Sequence, residues 1–127
     1  MNIAILGAGN GGCAVAADLS LRGHNVTLIK TSNAMHNENF EYLIKNNGSI
    51  TIYEDGKKQI SKISNVTTDL SELSNAEVVL VYIQTNYHEA LIKKLALYIK
   101  DGQIIVFVPG YLSTAYMLKY CDKRDIT

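Results

Sequence analysis

A glycine-rich turn near the N-terminus constrains the fold of this chain more than any other feature. The apolar residues 3–6 are followed directly by Gly7-Ala8-Gly9-Asn10-Gly11-Gly12 and then by a helical pattern over residues 13–22. A strand, a G-x-G-x-x-G turn and a helix in this order are typical of a pyrophosphate site. The reason is that the helix begins with unpaired N–H groups and with the positive end of its dipole.

The motif glycines have different roles in this prediction. Gly7 allows the tight turn off the strand, and Gly9 lets the backbone approach the phosphates without an intervening Cβ. Gly12 lets the helix pack closely against the sheet. The alternative, a glycine-rich turn without a ligand, is disfavoured by the strand and the helix that flank the motif.

Composition limits the classes of partner. The 127 residues carry 12 basic and 12 acidic side chains, so the charge pattern points neither to nucleic acid nor to an anionic membrane. No apolar stretch approaches the roughly 20 residues of a membrane span. Cys13 and Cys121 do not form a metal-like cluster. The composition therefore predicts a cytoplasmic α/β domain with free thiols.

Apolar strand patterns alternate with helical patterns along the chain, as in a parallel sheet covered on both faces. Residues 49–62 interrupt this order with strand patterns on both sides of Asp55-Gly56. The predicted fold is a doubly wound, mostly parallel Rossmann-type sheet with a β-hairpin insertion, truncated before its last strand. The predicted elements are strands at 3–6, 26–29, 77–83 and 103–108, hairpin strands at 49–53 and 58–62, a helical turn at 70–73, and helices at 13–22, 33–46, from a cap at Asn86 to Lys100, and 113–120.

The end of the chain suggests an incomplete domain. Residue Thr127 stands where a doubly wound domain would begin its next strand, and no linker divides the preceding sequence. We therefore expect residues 1–127 to form one dinucleotide-binding domain. The helical substrate domain of the longer enzyme would be absent.

Ligands of an open doubly wound sheet bind beyond the carboxyl ends of the strands, where the strand order reverses. With the order 3-2-1-4-5, this crevice lies between the turn after Leu6 and the turn after Ile83. The glycine turn would hold the pyrophosphate, residues 83–86 would flank the second half of the cofactor, and residues 108–110 would reach its reactive end. The predicted cofactor-binding residues are Gly7, Gly9, Asn10, Gly11, Gly12, Lys30, Thr31, Ile83, Gln84, Thr85 and Pro109.

The position after the second strand distinguishes between dinucleotides. A carboxylate there binds the adenosine ribose hydroxyls and repels a 2′-phosphate, whereas a cation with neighbouring hydroxyls favours that phosphate. Lys30, Thr31 and Ser32 follow the strand, and no acidic residue appears before Glu38. The sequence argues against FAD and slightly favours NADP over NAD. The alternative is that Lys30 is a solvated residue at the strand end.

Two further side chains near the crevice have two interpretations each. His88 would either contact substrate or nicotinamide, or be an exposed residue of a helix. Cys13 would either have a lowered pKa at the helix N-terminus, or be a small residue beside the phosphate turn. No catalytic or metal-ligating arrangement can be named from the sequence, so the catalytic residues stay unknown.

A resemblance to known enzymes rests on four stretches and on the hairpin region 49–62. The stretches are ILGAGNGG at residues 5–12, AADL at 16–19, RGHNVTL at 22–28 and VFVPG at 106–110. Together they resemble the N-terminal domain of the opine dehydrogenases, within a wider group that includes ketopantoate reductase and glycerol-3-phosphate dehydrogenase. Ketopantoate reductases carry a lysine just after the fourth main strand and an asparagine after the fifth. This chain has Gln84 and Pro109-Gly110 in those regions, which favours the opine group.

The resemblance implies an NAD(P)-dependent oxidoreductase that condenses an amino acid with a 2-oxo acid and reduces the imine with hydride from NAD(P)H. The family's catalytic histidine and its acidic partner lie in a second, helical domain, so no catalytic residue is carried over. The implied partners are NADP or NAD and the two small-molecule substrates, with a homo-oligomer as one option. The alternatives are a ketopantoate reductase-like or other 2-oxo acid or ketone reductase, and a non-catalytic module that senses dinucleotides.

Overall fold

The computed structural model describes residues 1–32, 37–110 and 112–121. Within these residues the chain alternates between strands and helices, and two short 3₁₀ turns connect some of them. The strands are β1 (Asn2–Leu6), β2 (Asn25–Ile29), β3 (Ser49–Glu54), β4 (Lys57–Lys62), β5 (Asn65–Thr67), β6 (Val78–Val81) and β7 (Ile104–Phe107). The helices are α1 (Asn10–Leu21), α2 (Asn37–Lys45), α3 (His88–Leu95) and α4 (Ser113–Cys121), and the 3₁₀ turns are Leu70–Asn75 and Thr85–Tyr87.

Five strands form one parallel sheet in the order β5-β2-β1-β6-β7. β1 is central, with Ile3 beside Val26 of β2 and Val78 of β6. Counted without the hairpin, this is the predicted order 3-2-1-4-5, which reverses between β1 and β6. Strands β3 and β4 form a separate antiparallel hairpin whose turn is at Asp55-Gly56. The predicted doubly wound fold with a hairpin insertion is confirmed.

The sheet has an apolar core on each face, because side chains alternate between the two faces along a strand. On one face, Ile5 of β1 belongs to a buried cluster with Ala16 of α1. On the other face, Leu6 belongs to a second buried cluster with Leu91 of α3. Ala16 has no exposed surface, so a small side chain lets α1 lie close to the sheet.

The third strand of the sheet, β5, is absent from the predicted elements. It pairs with β2, and its Val66 lies beside Leu28. With only three residues, two of them polar, β5 has neither an apolar run nor an alternation long enough to detect. Pairing with β2 therefore determines this strand more than its own sequence does.

The predicted boundaries of the third helix are wrong. Asn86 lies inside the 3₁₀ turn Thr85–Tyr87, and no side chain within the described residues caps α3. The helix also ends at Leu95, before the predicted Lys100. Two backbone bonds reach back only three residues there, from Leu97 to Lys94 and from Tyr98 to Leu95, which tightens the chain into a turn.

Strand β7 is half exposed, although the predicted sheet, covered on both faces, would bury it. Ile104 and Val106 are 45% and 40% exposed, because β7 is at the edge of the described sheet. Ile105 and Phe107 point to the other face and pack against the core that contains Leu91.

Some predicted features lie outside the described residues. The predicted start of the second helix at Asn33 is one of them, and so is the end of the chain at Thr127. None of the described helices is both long and apolar enough to cross a membrane.

Replacement of Gly12 tests the contact between α1 and the glycine turn. A Cβ on Gly12 would overlap the carbonyl oxygen of Gly7 and lie 3.7 Å from the Ile5 side chain. We expect Gly12→Ala to lower the free energy of unfolding by about 2 kcal/mol, since overpacking a tight contact costs roughly 1–3 kcal/mol. Gly11→Ala is the matched control, because its Cβ would meet only the Tyr82 ring, at 3.3 Å. Urea unfolding of both variants measures the difference, and equal losses would contradict the close contact.

Candidate functional site

The glycine turn is held against the ends of β2 and β6, the two strands that flank β1. Gly7 has φ +110°, and its N–H donates to the carbonyl oxygen of Ile29 over 2.9 Å. A Cβ on Gly7 would overlap the carbonyl oxygen of Tyr82, just beyond β6. The turn therefore requires glycine at this position, both for its backbone conformation and for space.

The N-terminus of α1 has the properties of an anion site. Gly9 is the N-cap, and its carbonyl oxygen accepts the first helical bond from the N–H of Cys13 at 3.0 Å. Within the described residues no side chain caps this end, and the first turn contains no acidic residue. The first N–H groups of a helix have no intrahelical partner, so this end can bind an anion.

Two cavities flank the glycine turn and contain nearly all the predicted site residues. The first, which we call cavity A, has a volume of about 520 Å³ and lies at the ends of β1 and β2, beside α3. Cavity B has a volume of about 480 Å³ and lies between the start of α1 and the ends of β6 and β7. Predicted residues that line cavity A are Gly7, Lys30, Thr31, Ile83 and Gln84. Those that line cavity B are Gly9, Gly11, Gly12, Ile83, Gln84, Thr85 and Pro109.

Asn10 is the predicted site residue that lines neither cavity. It is exposed in the first turn of α1 and lines a smaller cavity of about 210 Å³, which also includes Cys13 and Asn39. Ile83 and Gln84 line both larger cavities, so the segment after β6 separates them. This is the crevice that the strand order predicts.

Lys30 is buried, which makes the alternative of a solvated lysine wrong. Its residue surface is only 7% exposed, and its backbone N–H donates to the carbonyl oxygen of Thr67 over 3.0 Å. The Nζ atom lies 6.0 Å from the centre of the Phe40 ring. No carboxylate of the described residues forms an ion pair with it. A lysine that lines a cavity without a carboxylate partner among the described residues favours an anion from outside the chain.

His88 is neither an exposed helix residue nor a residue that lines either cavity. It is fully buried, its Nε2 lies 2.7 Å from the carbonyl oxygen of Ile83, and its ring packs 5.1 Å from that of Phe107. A carbonyl oxygen only accepts, so Nε2 carries the proton, and Nδ1 is left buried without a hydrogen-bond partner. His88 therefore fixes the segment after β6 from within the core.

Cys13 is a small buried residue and not an activated thiol. Its Sγ donates to the carbonyl oxygen of Ala8 over 3.4 Å. Burial raises the pKa of the Cys13 thiol, because the thiolate would lose its hydration. Proximity to the helix N-terminus does not outweigh this desolvation, so the hypothesis of a lowered pKa is wrong.

Sequence reasoning missed several residues that line the cavities. Tyr82 borders both, and its ring lies beside Gly11. Leu70, Tyr87 and Lys94 line cavity A. They come from a 3₁₀ turn, a second 3₁₀ turn and α3, which only the fold brings together. The one usable signal was the predicted strand end at residue 83, because Tyr82 is next to it and crevice residues lie at the strand ends.

Comparison with known proteins gives one family and several relatives. A family model described as ketopantoate reductase PanE/ApbA matches residues 3–119 of this chain. An opine dehydrogenase from Arthrobacter sp. (strain 1C) is 31% identical over 108 residues, which is 84% of this chain and 29% of that protein. This chain thus spans less than a third of the length of that curated relative.

Solved structures with the same fold include members of both groups. A structure of octopine dehydrogenase in complex with NADH and agmatine superposes with a TM-score of 0.81 at 19% identity, over 99% of this chain and 33% of that one. A PanE/ApbA family ketopantoate reductase from Ralstonia eutropha JMP134 superposes with a TM-score of 0.73 at 17% identity, over 99% of this chain and 39% of that one. At these identities the likeness shows the fold alone.

Substitution of His88 tests its role beneath the segment after β6. His88→Phe keeps a ring against Phe107 but removes the donor to the Ile83 carbonyl oxygen. We expect the free energy of unfolding to fall by about 2 kcal/mol, because a buried polar group left unpaired costs roughly 1–3 kcal/mol. His24→Phe is the control, since the His24 Nδ1 is also buried but has no hydrogen-bond partner to lose. Urea unfolding is the measurement, and an unchanged His88→Phe would contradict the role.

Proposed function

This chain belongs to the ketopantoate reductase PanE/ApbA family, and from that premise we propose that it is the dinucleotide-binding domain of an NAD(P)-dependent opine-type dehydrogenase. The observation that carries the proposal is the glycine turn, which lies between two cavities and presents an uncapped helix N-terminus. A longer enzyme would supply the remaining domain, because relatives of this chain extend well beyond the matched length.

The residues of the crevice fit a nicotinamide dinucleotide. The turn and the start of α1 are packed closely at Gly7 and Gly12, where a Cβ would overlap backbone oxygens, and both cavities adjoin them. The glycine turn, meaning Gly7 and Gly9 through Gly12, would hold the pyrophosphate. Lys30 and Thr31 would bind the adenosine ribose and its substituents in cavity A, while Ile83, Gln84, Thr85 and Pro109 would border the nicotinamide half in cavity B. A reduced nicotinamide bound there would supply the hydride, and the role of this chain would be to bind and orient the nicotinamide.

We propose NADP as the preferred cofactor. Lys30 is the residue after β2, it is buried, and no described carboxylate neutralises it. Thr31, Ser32 and Lys94 line the same cavity, while no Asp or Glu among the described residues does. This environment favours a 2′-phosphate and disfavours the two free hydroxyls of NAD, which a carboxylate would bind.

Two observations favour an opine-type reaction over a ketopantoate reductase reaction. The first is that the chain is 31% identical to an opine dehydrogenase. The second is that Gln84 and Pro109 follow β6 and β7, at the positions where ketopantoate reductases carry lysine and asparagine. The substrates would be an amino acid and a 2-oxo acid, bound with catalytic groups from the rest of the enzyme. Ketopantoate reduction is the second candidate, because the matched family model is described by that activity.

Two further properties of the whole protein stay predictions, namely a cytoplasmic location and assembly into a homo-oligomer.

Titration of this chain with NADPH, NADH and ADP tests the cofactor proposal. We expect NADPH to bind more tightly than NADH, and Lys30→Met to abolish this preference with a loss of NADPH affinity of about tenfold or more. Hydrogen bonds to charged groups contribute roughly 1.5–3 kcal/mol, which corresponds to such a factor. Methionine retains the buried apolar stem that a shorter residue would remove.

Lys62→Met on β4 is the matched control, because Lys62 is exposed and lines neither cavity. Equal affinity of the unmodified chain for NADPH and NADH would contradict the NADP preference alone. Failure of all three ligands to bind would remove the dinucleotide site itself.

Assay of the full-length protein tests the reaction. We expect NADPH oxidation to require both an amino acid and a 2-oxo acid, because hydride is delivered to the imine that the two form. Ketopantoate is the comparison substrate. NADPH oxidation with ketopantoate and no amino acid would instead support the second candidate.

A further inference from the structure

The side chain of Asn39, on helix α2, is hydrogen-bonded to the glycine turn. The Nδ2 atom of Asn39 donates to the carbonyl oxygen of Ala8 over 3.1 Å and to Oδ1 of Asn10 over 3.3 Å. The sequence motif gives no indication of these bonds, because Asn39 lies 31 residues after Ala8 and 29 after Asn10. Asn39 is half-buried and lines the small cavity between α1, α2 and the hairpin.

The bond to Ala8 determines how the backbone of the turn is oriented. The carbonyl group of Ala8 and the N–H group of Gly9 belong to the same planar trans peptide unit, so they point in opposite directions. Donors from two elements hold this carbonyl oxygen, Nδ2 of Asn39 and Sγ of Cys13. With the carbonyl oxygen fixed toward α1 and α2, the Gly9 N–H is fixed in the opposite direction. A carbonyl oxygen also repels a phosphate. The two donors that bind the Ala8 carbonyl oxygen keep it turned away from the anion.

The bond to Asn10 determines which end of the Asn10 amide is available to a ligand. Nδ2 of Asn39 is only a donor, so Asn10 must present its oxygen to it. The NH₂ group of Asn10 is then the end that remains for another acceptor. Asn10 is exposed in the first turn of α1, beside the N–H groups of the helix N-terminus. Its NH₂ would add a side-chain donor to the backbone donors that face a phosphate.

Phe40, the next residue of α2, contacts the part of the site where the adenosine ribose of the proposed cofactor would bind. The ring of Phe40 lies 6.0 Å from Nζ of Lys30, the cation at the end of β2. Adjacent residues of one helix thus contact the glycine turn and the buried lysine. Neither contact involves the sheet, so α2 is an independent support for both.

We propose that Asn39 is a positioning residue of the pyrophosphate site, which orients the Gly9 N–H and the Asn10 NH₂ group toward the phosphates without contacting them. The proposal rests on the proposed function, since it requires that a dinucleotide pyrophosphate binds at the glycine turn. It adds a residue outside the motif to the groups that determine affinity. Its effect is specific for ligands that carry a pyrophosphate.

The test compares ADP with adenosine, because the two ligands differ in the pyrophosphate alone. We expect Asn39→Ala to weaken ADP binding about tenfold and to leave adenosine binding within about twofold of the unmodified chain. Asn39→Asp should weaken ADP binding further, because a carboxylate would face two acceptor oxygens and would add a negative charge near the phosphates. Calorimetry measures the affinity for ADP, and an NMR titration measures the affinity for adenosine.

The matched control is Asn46→Ala. The Nδ2 atom of Asn46 donates to a backbone carbonyl oxygen, that of Tyr42, over 2.7 Å, just beyond the end of α2. This variant loses the same kind of bond from the same part of the chain and should bind ADP as the unmodified chain does. Thermal unfolding of each variant identifies any loss of fold, and Asn39→Asp remains as a second variant if Asn39→Ala does not fold.

The outcomes separate this proposal from the proposed function. An Asn39→Ala chain that binds ADP normally, or that loses adenosine and ADP equally, overturns the positioning role and leaves the dinucleotide site intact. An unmodified chain that binds neither ADP nor NADPH overturns the proposed function and the positioning role together.

Discussion

The contact between Gly12 and Gly7 is the constraint on which the rest of this structure depends. Helix α1 begins so close to the turn that a Cβ on Gly12 would overlap the Gly7 carbonyl oxygen. This approach brings the first turn of α1 to the ends of β1 and β6 and keeps its N–H groups at the crevice. A helix displaced by one methyl group would still cover the sheet through its alanines, but it would no longer present its N-terminus at the same place.

The order of the strands explains why the contact between Gly12 and Gly7 lies at a crevice. Because the order reverses between β1 and β6, the chain leaves these neighbouring strands toward opposite faces, and a crevice opens at their carboxyl ends. Cavities A and B occupy the two sides of that crevice, and Ile83 and Gln84 separate them. His88 supports this separation from within the core, through its bond to the Ile83 carbonyl oxygen. A dinucleotide has two halves joined by a pyrophosphate, and the crevice has two cavities joined at the glycine turn.

The sequence predicts the features that local patterns determine. The four longer sheet strands, the hairpin at Asp55-Gly56 and the glycine turn follow from apolar periodicity and turn chemistry, which act over a few residues. Local patterns did not predict that Lys30 and His88 are buried. Their burial depends on residues of other elements, Phe40 of α2 for the lysine and Phe107 of β7 for the histidine. The bonds of Asn39 to the turn belong to the same class, since an isolated asparagine on a polar helix has no pattern to detect.

The environment of Lys30 is the place where a bound anion would be linked to the stability of the fold. Lys30 is 7% exposed and lines cavity A, and the described residues offer its ammonium group the face of Phe40 but no carboxylate. An anion bound in cavity A would therefore be the charged partner that the described residues do not supply. A ligand that binds the folded chain and not the unfolded one stabilises it by RT ln(1 + [L]/Kd). A 2′-phosphate in cavity A would meet a lysine whose side chain is already packed on folding, so less side-chain ordering would be subtracted from its binding energy.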